Sequence, residues 1–158
     1  MTPVQLFIER TDHELSPEER IAYRNLSYSH HSLFQVGPMK PDTILVRDLF
    51  TERNLSVFER RKPVGVETND IIEARLIMTP DDRLMFSPAF CFHPREVRAR
   101  ILKMVKQHQK SGEDHESFIF KLSYLRLKLD RYKHVRADEL YAQAQAAPSE
   151  SSQPQPGA

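Results

Sequence analysis

The sequence predicts an α+β protein: a small five-stranded antiparallel meander or partly closed barrel, with an N-terminal helix before it and two C-terminal amphipathic helices after it. Three observations lead there. Over residues 30–94 apolar residues alternate with charged ones in short runs bounded by turn residues, which is the period of half-buried strands. Ser16-Pro17-Glu18-Glu19 is a capping box with proline at the first helical position. After His93 the apolar spacing changes to three and four, the period of a helix. At 158 residues the chain has room for one domain with a real core and a tail. Its segments read as an N-terminal helical segment (1–29), a β-module (30–94), a basic helical segment packed on it (95–146) and a disordered tail (147–158).

In order along the chain, Thr2-Pro3-Val4-Gln5 carries helix-start residues, yet Val4, Leu6 and Ile8 also alternate as a strand would, so residues 3–10 read either way. The capping box predicts a helix over 17–28 with Ile21 and Leu26 facing inward. Strands follow over 32–36, ending at Gly37-Pro38, and over 43–49. A turn at Thr51-Glu52-Arg53-Asn54 leads to a third strand over 55–60. A polar loop ends at Asn69-Asp70. The fourth strand, 71–78, places Ile72, Ala74, Leu76 and Met78 on one face, and Pro80-Asp81-Asp82-Arg83 turns it into the fifth, 84–92. Curling into a barrel removes exposed sheet edges. Pro94 opens a helix that gathers Val97, Ile101, Met104, Val105 and His108 on one face, and Ser111-Gly112 breaks it. The next helix, 116–132, has a narrow apolar seam of Phe118, Leu122, Leu125, Leu129 and Tyr132. Phe120, Tyr124 and Leu127 lie off that seam and need a second cover, from the barrel or from another chain. Residues 137–146 suit a short last helix. From Ala147 the composition, rich in proline, serine and glutamine, is that of a disordered tail.

Several strings carry a resemblance: Ser32-Leu33-Phe34, Val46-Arg47-Asp48-Leu49, Glu59-Arg60-Arg61, Asp70-Ile71-Ile72-Glu73-Ala74-Arg75-Leu76, and Phe90-Cys91-Phe92-His93-Pro94 running into Arg95-Glu96-Val97-Arg98. On these the chain resembles a family of uncharacterised small bacterial proteins over about residues 30–105. The resemblance implies a compact β-module plus helix and brings no activity with it. A looser form of the pattern occurs beside a short Cys-rich zinc motif, which this chain lacks.

Composition narrows the function classes. Hydrophobic residues make up 39% and charged residues 28%, ordinary values for a globular protein. One cysteine excludes an intrachain disulfide framework and a cysteine-built zinc site, so nothing points to an oxidising compartment. No run reaches the roughly 20 apolar residues of a membrane helix, and the N-terminus lacks signal-peptide character. The expected location is cytoplasmic. A net charge of +1 hides an uneven layout: eleven basic against fourteen acidic residues over 1–93, twelve against five over 94–136, and none against three over 137–158.

Few residues suit catalysis. Cys91 and His93 point the same way on a strand, the placement of an imidazole-activated thiol, but Phe90 and Phe92 flank the cysteine and no third orienting group is evident. The expected role is packing. His30 and His31 could converge with His93, but no helical His spacing supports a metal site, and none is expected. Asp48, Asp70 and Glu73 suit cross-strand pairs with Arg47, Arg60 and Arg75 better than acid–base chemistry. Phosphate loops and nucleophile elbows are absent.

The basic segment is the functional clue. Arg95, Arg98, Arg100, Lys103, Lys106 and Lys110 lie on one helix; Lys121 and Lys128, with Arg126, Arg131, Lys133 and Arg136, lie beyond it. The plain alternative is that these side chains only solvate two helices. The expectation is a non-enzymatic bacterial cytoplasmic interaction or regulatory module, without cofactor, that docks an acidic protein partner through Arg95, Arg98, Arg100, Lys103, Lys106, Lys110, Lys121 and Lys128. The alternative is a nucleic-acid-binding protein that applies the same surface to phosphates. It is weakened by the lack of tryptophan and of a recognisable motif. A thiol enzyme centred on Cys91 ranks third.

Overall fold

The computed structural model describes residues 3–60, 64–132 and 134–146; the expected tail at 147–158 and the cap at Thr2 lie outside these. Among these residues five strands and five α-helices, with one 3-10 turn, make an α+β fold. The N-terminal helices are α1 (Pro3–Thr11) and α2 (Pro17–Ser27). Helix wins over strand in the first segment. The capping box forms in full: the Glu19 amide donates to Ser16 Oγ at 3.2 Å and the Ser16 amide donates to Glu19 Oε2 at 2.9 Å. The sequence expectation that Ile21 and Leu26 face inward is corrected: they are 46% and 42% exposed. The reason is that α1 and α2 pack on each other, with Phe7 and Tyr23 ring centroids 4.9 Å apart, and reach the barrel only at its margin, where Asn25 Nδ2 donates to the Thr79 carbonyl at 3.2 Å.

The strands are β1 (His30–Met39), β2 (Thr43–Asp48), β3 (Asn54–Phe58), β4 (Ile71–Met78) and β5 (Leu84–Phe92). They form one mixed, mostly antiparallel sheet in the order β1-β2-β3-β5-β4, and β4 pairs back onto β1. A meander would run in chain order, so that expectation is corrected. β4 pairs with β1 instead of β3, and β5 fills the gap between β4 and β3. This gap closes through a thin parallel seam of two residue pairs, Val57↔Leu84 and Phe58↔Met85, because β3 has only five residues to offer. At Gly37 β1 runs so close to β2 that an added Cβ would lie 3.1 Å from the Leu45 carbonyl oxygen. A bulge between Val36 and Met39 follows, and β1 continues three residues beyond the point where Gly37-Pro38 would stop a regular strand.

Two cores share one wall. Phe34, Val36, Ile44, Val46, Val57, Ile72, Ala74, Leu76 and Phe86 fill the barrel. Leu33 and Ile71, on the opposite faces of β1 and β4, belong to a second core between the barrel and three C-terminal helices. A 3-10 turn at Arg95–Val97 leads to α3 (Arg98–Ser111), which Gly112 ends with a left-handed φ of 72°. Then come α4 (His115–Arg131) and α5 (Ala137–Ala146). The expected face of the first basic helix is buried throughout: Val97, Ile101, Met104, Val105 and His108. Phe118, Leu122 and Leu125 of the α4 seam are buried against the same core, so the seam is used within one chain. Tyr132 is not part of it; it lies past the helix end and is exposed.

Leu122 and Leu127 sit on opposite faces of α4, one fully buried and one open. Truncating Leu122 to Ala should lower the unfolding free energy by about 2–5 kcal/mol. Leu127→Ala should change it by less than about 0.5 kcal/mol. Urea denaturation of both variants checks the assignment.

Candidate functional site

Two features of the C-terminal half carry side chains suited to function, and each follows from which face of an element is left uncovered. On α3 the buried positions leave Lys103, Lys106 and Lys110 on the outward face, three and four residues apart. These lysines, with Arg98 and Lys121, are exposed and make no ion pair among the described residues. Arg95 and Arg100 are not free in that way. Arg95 holds Asp70 through Nε at 2.7 Å and reaches Glu67 at 3.0 Å, and Arg100 donates to Gln145 Oε1 of α5 at 3.0 Å. Arg95 therefore braces the loop before β4. Burial alone would raise the Asp70 carboxyl, but the Arg95 bond and the Glu67 amide together hold it below its ordinary value.

On α4 the outward face is not basic at its centre. Phe120, Tyr124 and Leu127, at i, i+4 and i+7, are 58%, 58% and 65% exposed, with Arg131 completing the row. The Phe120 ring meets His31 of β1 edge-on, with centroids 6.3 Å apart, yet among the described residues neither the barrel nor another helix covers the row as a whole. Lys121 and Lys128 flank the row, and the Lys128 ammonium sits 4.7 Å from the Tyr124 ring centre. The sequence pattern contains this row in plain sight; what it lacks is any sign that the face stays bare.

Under the opposite edge of α4 lies a polar pocket on the wall of the barrel. Glu73 and Cys91 face each other across the β4–β5 pairing, and His93 follows on the same face. Glu73 accepts from His31 Nε2 at 3.0 Å and from the Ser123 hydroxyl of α4. His93 Nδ1 lies 3.1 Å from the Tyr141 hydroxyl of α5. Burial pushes the Cys91 thiol up to about 11, with the Glu73 charge adding to it, so the thiol is protonated at neutral pH, opposite to what an activated nucleophile needs. Burial pushes His93 down to about 4, and the Arg126 charge adds to that shift. Beside this pocket His93, Arg95 and Arg126 line a surface cleft of about 520 Å³.

The three histidines grouped on sequence do not all converge: His31 and His93 both border Glu73, and His30 lies apart. His30 donates to buried Asp48 at 2.5 Å, where the Phe50 and Thr51 amides also donate, while His31 ends at Glu73. The expected cross-strand ion pairs are likewise redrawn: Arg47 pairs with Glu52, and Arg75 Nη1 donates to the Ser29 hydroxyl. Register and helix cover decide these partners. Neither shows in the spacing of the residues.

A histidine whose folded pKa lies below its unfolded value of about 6.5 takes up a proton on unfolding. Stability is then complete above about pH 6.5 and falls, by on the order of 1.4 kcal/mol per pH unit, as the pH drops towards the folded pKa. Buried His108 is shifted in the same direction, by burial first and by the His115 charge second. The denaturant midpoint should therefore fall between about pH 7 and pH 5, and His93→Gln should flatten part of that slope. Equal slopes in both proteins would mean that His93 is charged in the native state.

No curated protein and no solved structure matches the chain. A family model, described as a family of unknown function (DUF7986), matches residues 1–125, which takes in both N-terminal helices, the whole barrel, α3 and α4 as far as its second buried leucine. The β-module strings and the match agree, and the chain belongs to this family.

Proposed function

We propose that the protein is a non-enzymatic interaction module whose docking surface is the outward face of α4, and that its partner is an acidic protein. The observation that carries this is the bare row of Phe120, Tyr124 and Leu127 with Lys121, Lys128 and Arg131 around it. An apolar centre with a charged rim is the anatomy of a protein interface. Three large side chains held open on a helix whose other face is fully packed cost solvation without adding to the fold. The cationic rim selects for acidic surfaces and speeds encounter. The lysines of α3 add to the same field. The expected bacterial, cytoplasmic setting belongs to this reading. Among the described residues no helix is long and apolar enough to cross a membrane.

The exposed rings favour a second reading as well. Phe120, Tyr124 and Tyr132 beside Lys121, Lys128 and Arg131 are the materials of base stacking on a single strand. The aliphatic Leu127 in the row and Asp130 paired to Arg126 at 2.5 Å weigh towards protein.

The test uses the full chain as bait with and without nuclease, beside Leu127→Asp and the pair Lys121→Glu with Lys128→Glu. The expected result is one acidic protein retained after nuclease and lost with either variant. Its affinity for the purified bait should fall more than about 30-fold for Leu127→Asp, the scale of a central interface residue. The melting temperatures of the variants should match the wild type. Retention by all variants, a concentration-dependent dimer abolished by Leu127→Asp, or nuclease-sensitive capture with a steep salt dependence would each overturn the assignment.

A further inference from the structure

The pocket between the barrel wall and α4 contains three donor groups that the docking surface does not use. The ligand atoms of Glu73, Cys91 and His93 all lie within 4.8 Å of one another. One of them, His93, is left in need of a partner, and another, Glu73, has no strong cation beside it. The Glu73 side chain is only 13% exposed, and its partners are the imidazole of His31 and the Ser123 hydroxyl, with no Lys or Arg ion pair among the described residues. His93 is 5% exposed, and its Nε2 is buried without a hydrogen-bond partner. A buried, unsatisfied imidazole nitrogen costs stability unless something compensates it.

We propose that Glu73, Cys91 and His93 bind a single zinc-type divalent cation. The donor set is one sulfur, one nitrogen and one carboxylate oxygen, which suits zinc; magnesium and calcium require oxygen ligands. On binding, the Cys91 thiol gives its proton to solvent, and the thiolate and carboxylate charges balance the ion. His93 is already oriented: with Nδ1 at the Tyr141 hydroxyl, Nε2 is the atom left to coordinate. His31 and Ser123 fix the Glu73 carboxylate in the same way. In a tetrahedral zinc site neighbouring donors are about 3.3–3.7 Å apart, so closing on the ion asks for side-chain shifts of roughly an ångström and no strand movement. Arg126, the nearby positive charge, is directed elsewhere: its Nε donates to the Phe92 carbonyl at 2.8 Å and its Nη1 to Asp130 at 2.5 Å. Three protein ligands leave the fourth position to water.

Because Cys91 is the only cysteine in the chain, a thiolate-to-metal band can come from no other residue. The full chain, freed of metal with a chelator, is titrated with cobalt(II) and then with zinc against a chromophoric competitor. The expected outcome is one equivalent bound, a near-ultraviolet sulfur-to-cobalt band, and a higher melting temperature with zinc. Cys91→Ala and Glu73→Gln should each weaken zinc at least about 100-fold, while Tyr141→Phe should keep the band and cost about 10-fold, as loss of an outer partner does. Should a variant not fold, alkylation of wild-type Cys91 decides the matter: zinc should protect it. Cobalt binding without the band, no stoichiometric zinc, or equal alkylation with and without zinc would overturn the site.

Discussion

The structure depends on a wall that is buried on both sides. β1 and β4 pair along six residues, from His30↔Leu76 to Gln35↔Ile71, and their side chains alternate between two cores. Phe34, Val36, Ile72, Ala74 and Leu76 close the barrel, while Leu33 and Ile71 anchor the helices. A one-residue slip of this pair would exchange the two sets and spoil both cores together, so its register is the most strongly specified in the sheet. The thin β3–β5 seam is tolerable for the same reason: the ring is held from the other side.

Such a wall leaves little room for charge, yet three carboxylates stand beside it: Asp48 at the end of β2, Asp70 just before β4 and Glu73 on the outer face of β4. Each is satisfied differently. Asp48 is fully buried; burial alone would raise its carboxyl, but the His30 bond and the two backbone amides outweigh that and hold it below its ordinary value. Asp70 closes the long connection onto the wall through Arg95. Glu73 alone faces the helices without a strong cation, and α4 and α5 have placed a hydroxyl each, Ser123 and Tyr141, to line its surroundings. The polar pocket is thus part of how the helices find their seat, and the unpartnered imidazole nitrogen within it marks the place where satisfaction is incomplete.

Helix α4 separates its tasks by face. Phe118, Ile119, Leu122 and Leu125 belong to the second core, Ser123 and Arg126 reach the barrel wall, and Phe120, Tyr124 and Leu127 meet solvent. A helix needs one apolar stripe to fold onto its neighbours. A second stripe on the reverse is mostly open to solvent, touching the wall only where the Phe120 ring edge meets His31, and the cations around it give that surface a sign. The basic excess of the segment 94–136 is accordingly divided: Arg95, Arg100 and Arg126 bond to other parts of the fold, and Lys103, Lys106, Lys110 and Lys121 stay exposed.

By itself the sequence determined what depends on near neighbours. The capping box at Ser16, the strands around Ile72 and Ala74, the break at Gly112 and the buried face from Val97 to His108 are all local patterns, set by backbone geometry and by periods of two and 3.6 residues. Only the tertiary structure decided the strand order, the partner of each carboxylate, the meeting of Glu73 with Cys91, the exposure of Ile21 and Leu26, and which stripe of α4 stays bare. These depend on pairings between residues far apart in the chain, where many registers satisfy the same alternation and one is selected by how both faces of the wall pack. Periodicity says that a face is apolar; it does not say what, if anything, lies against it.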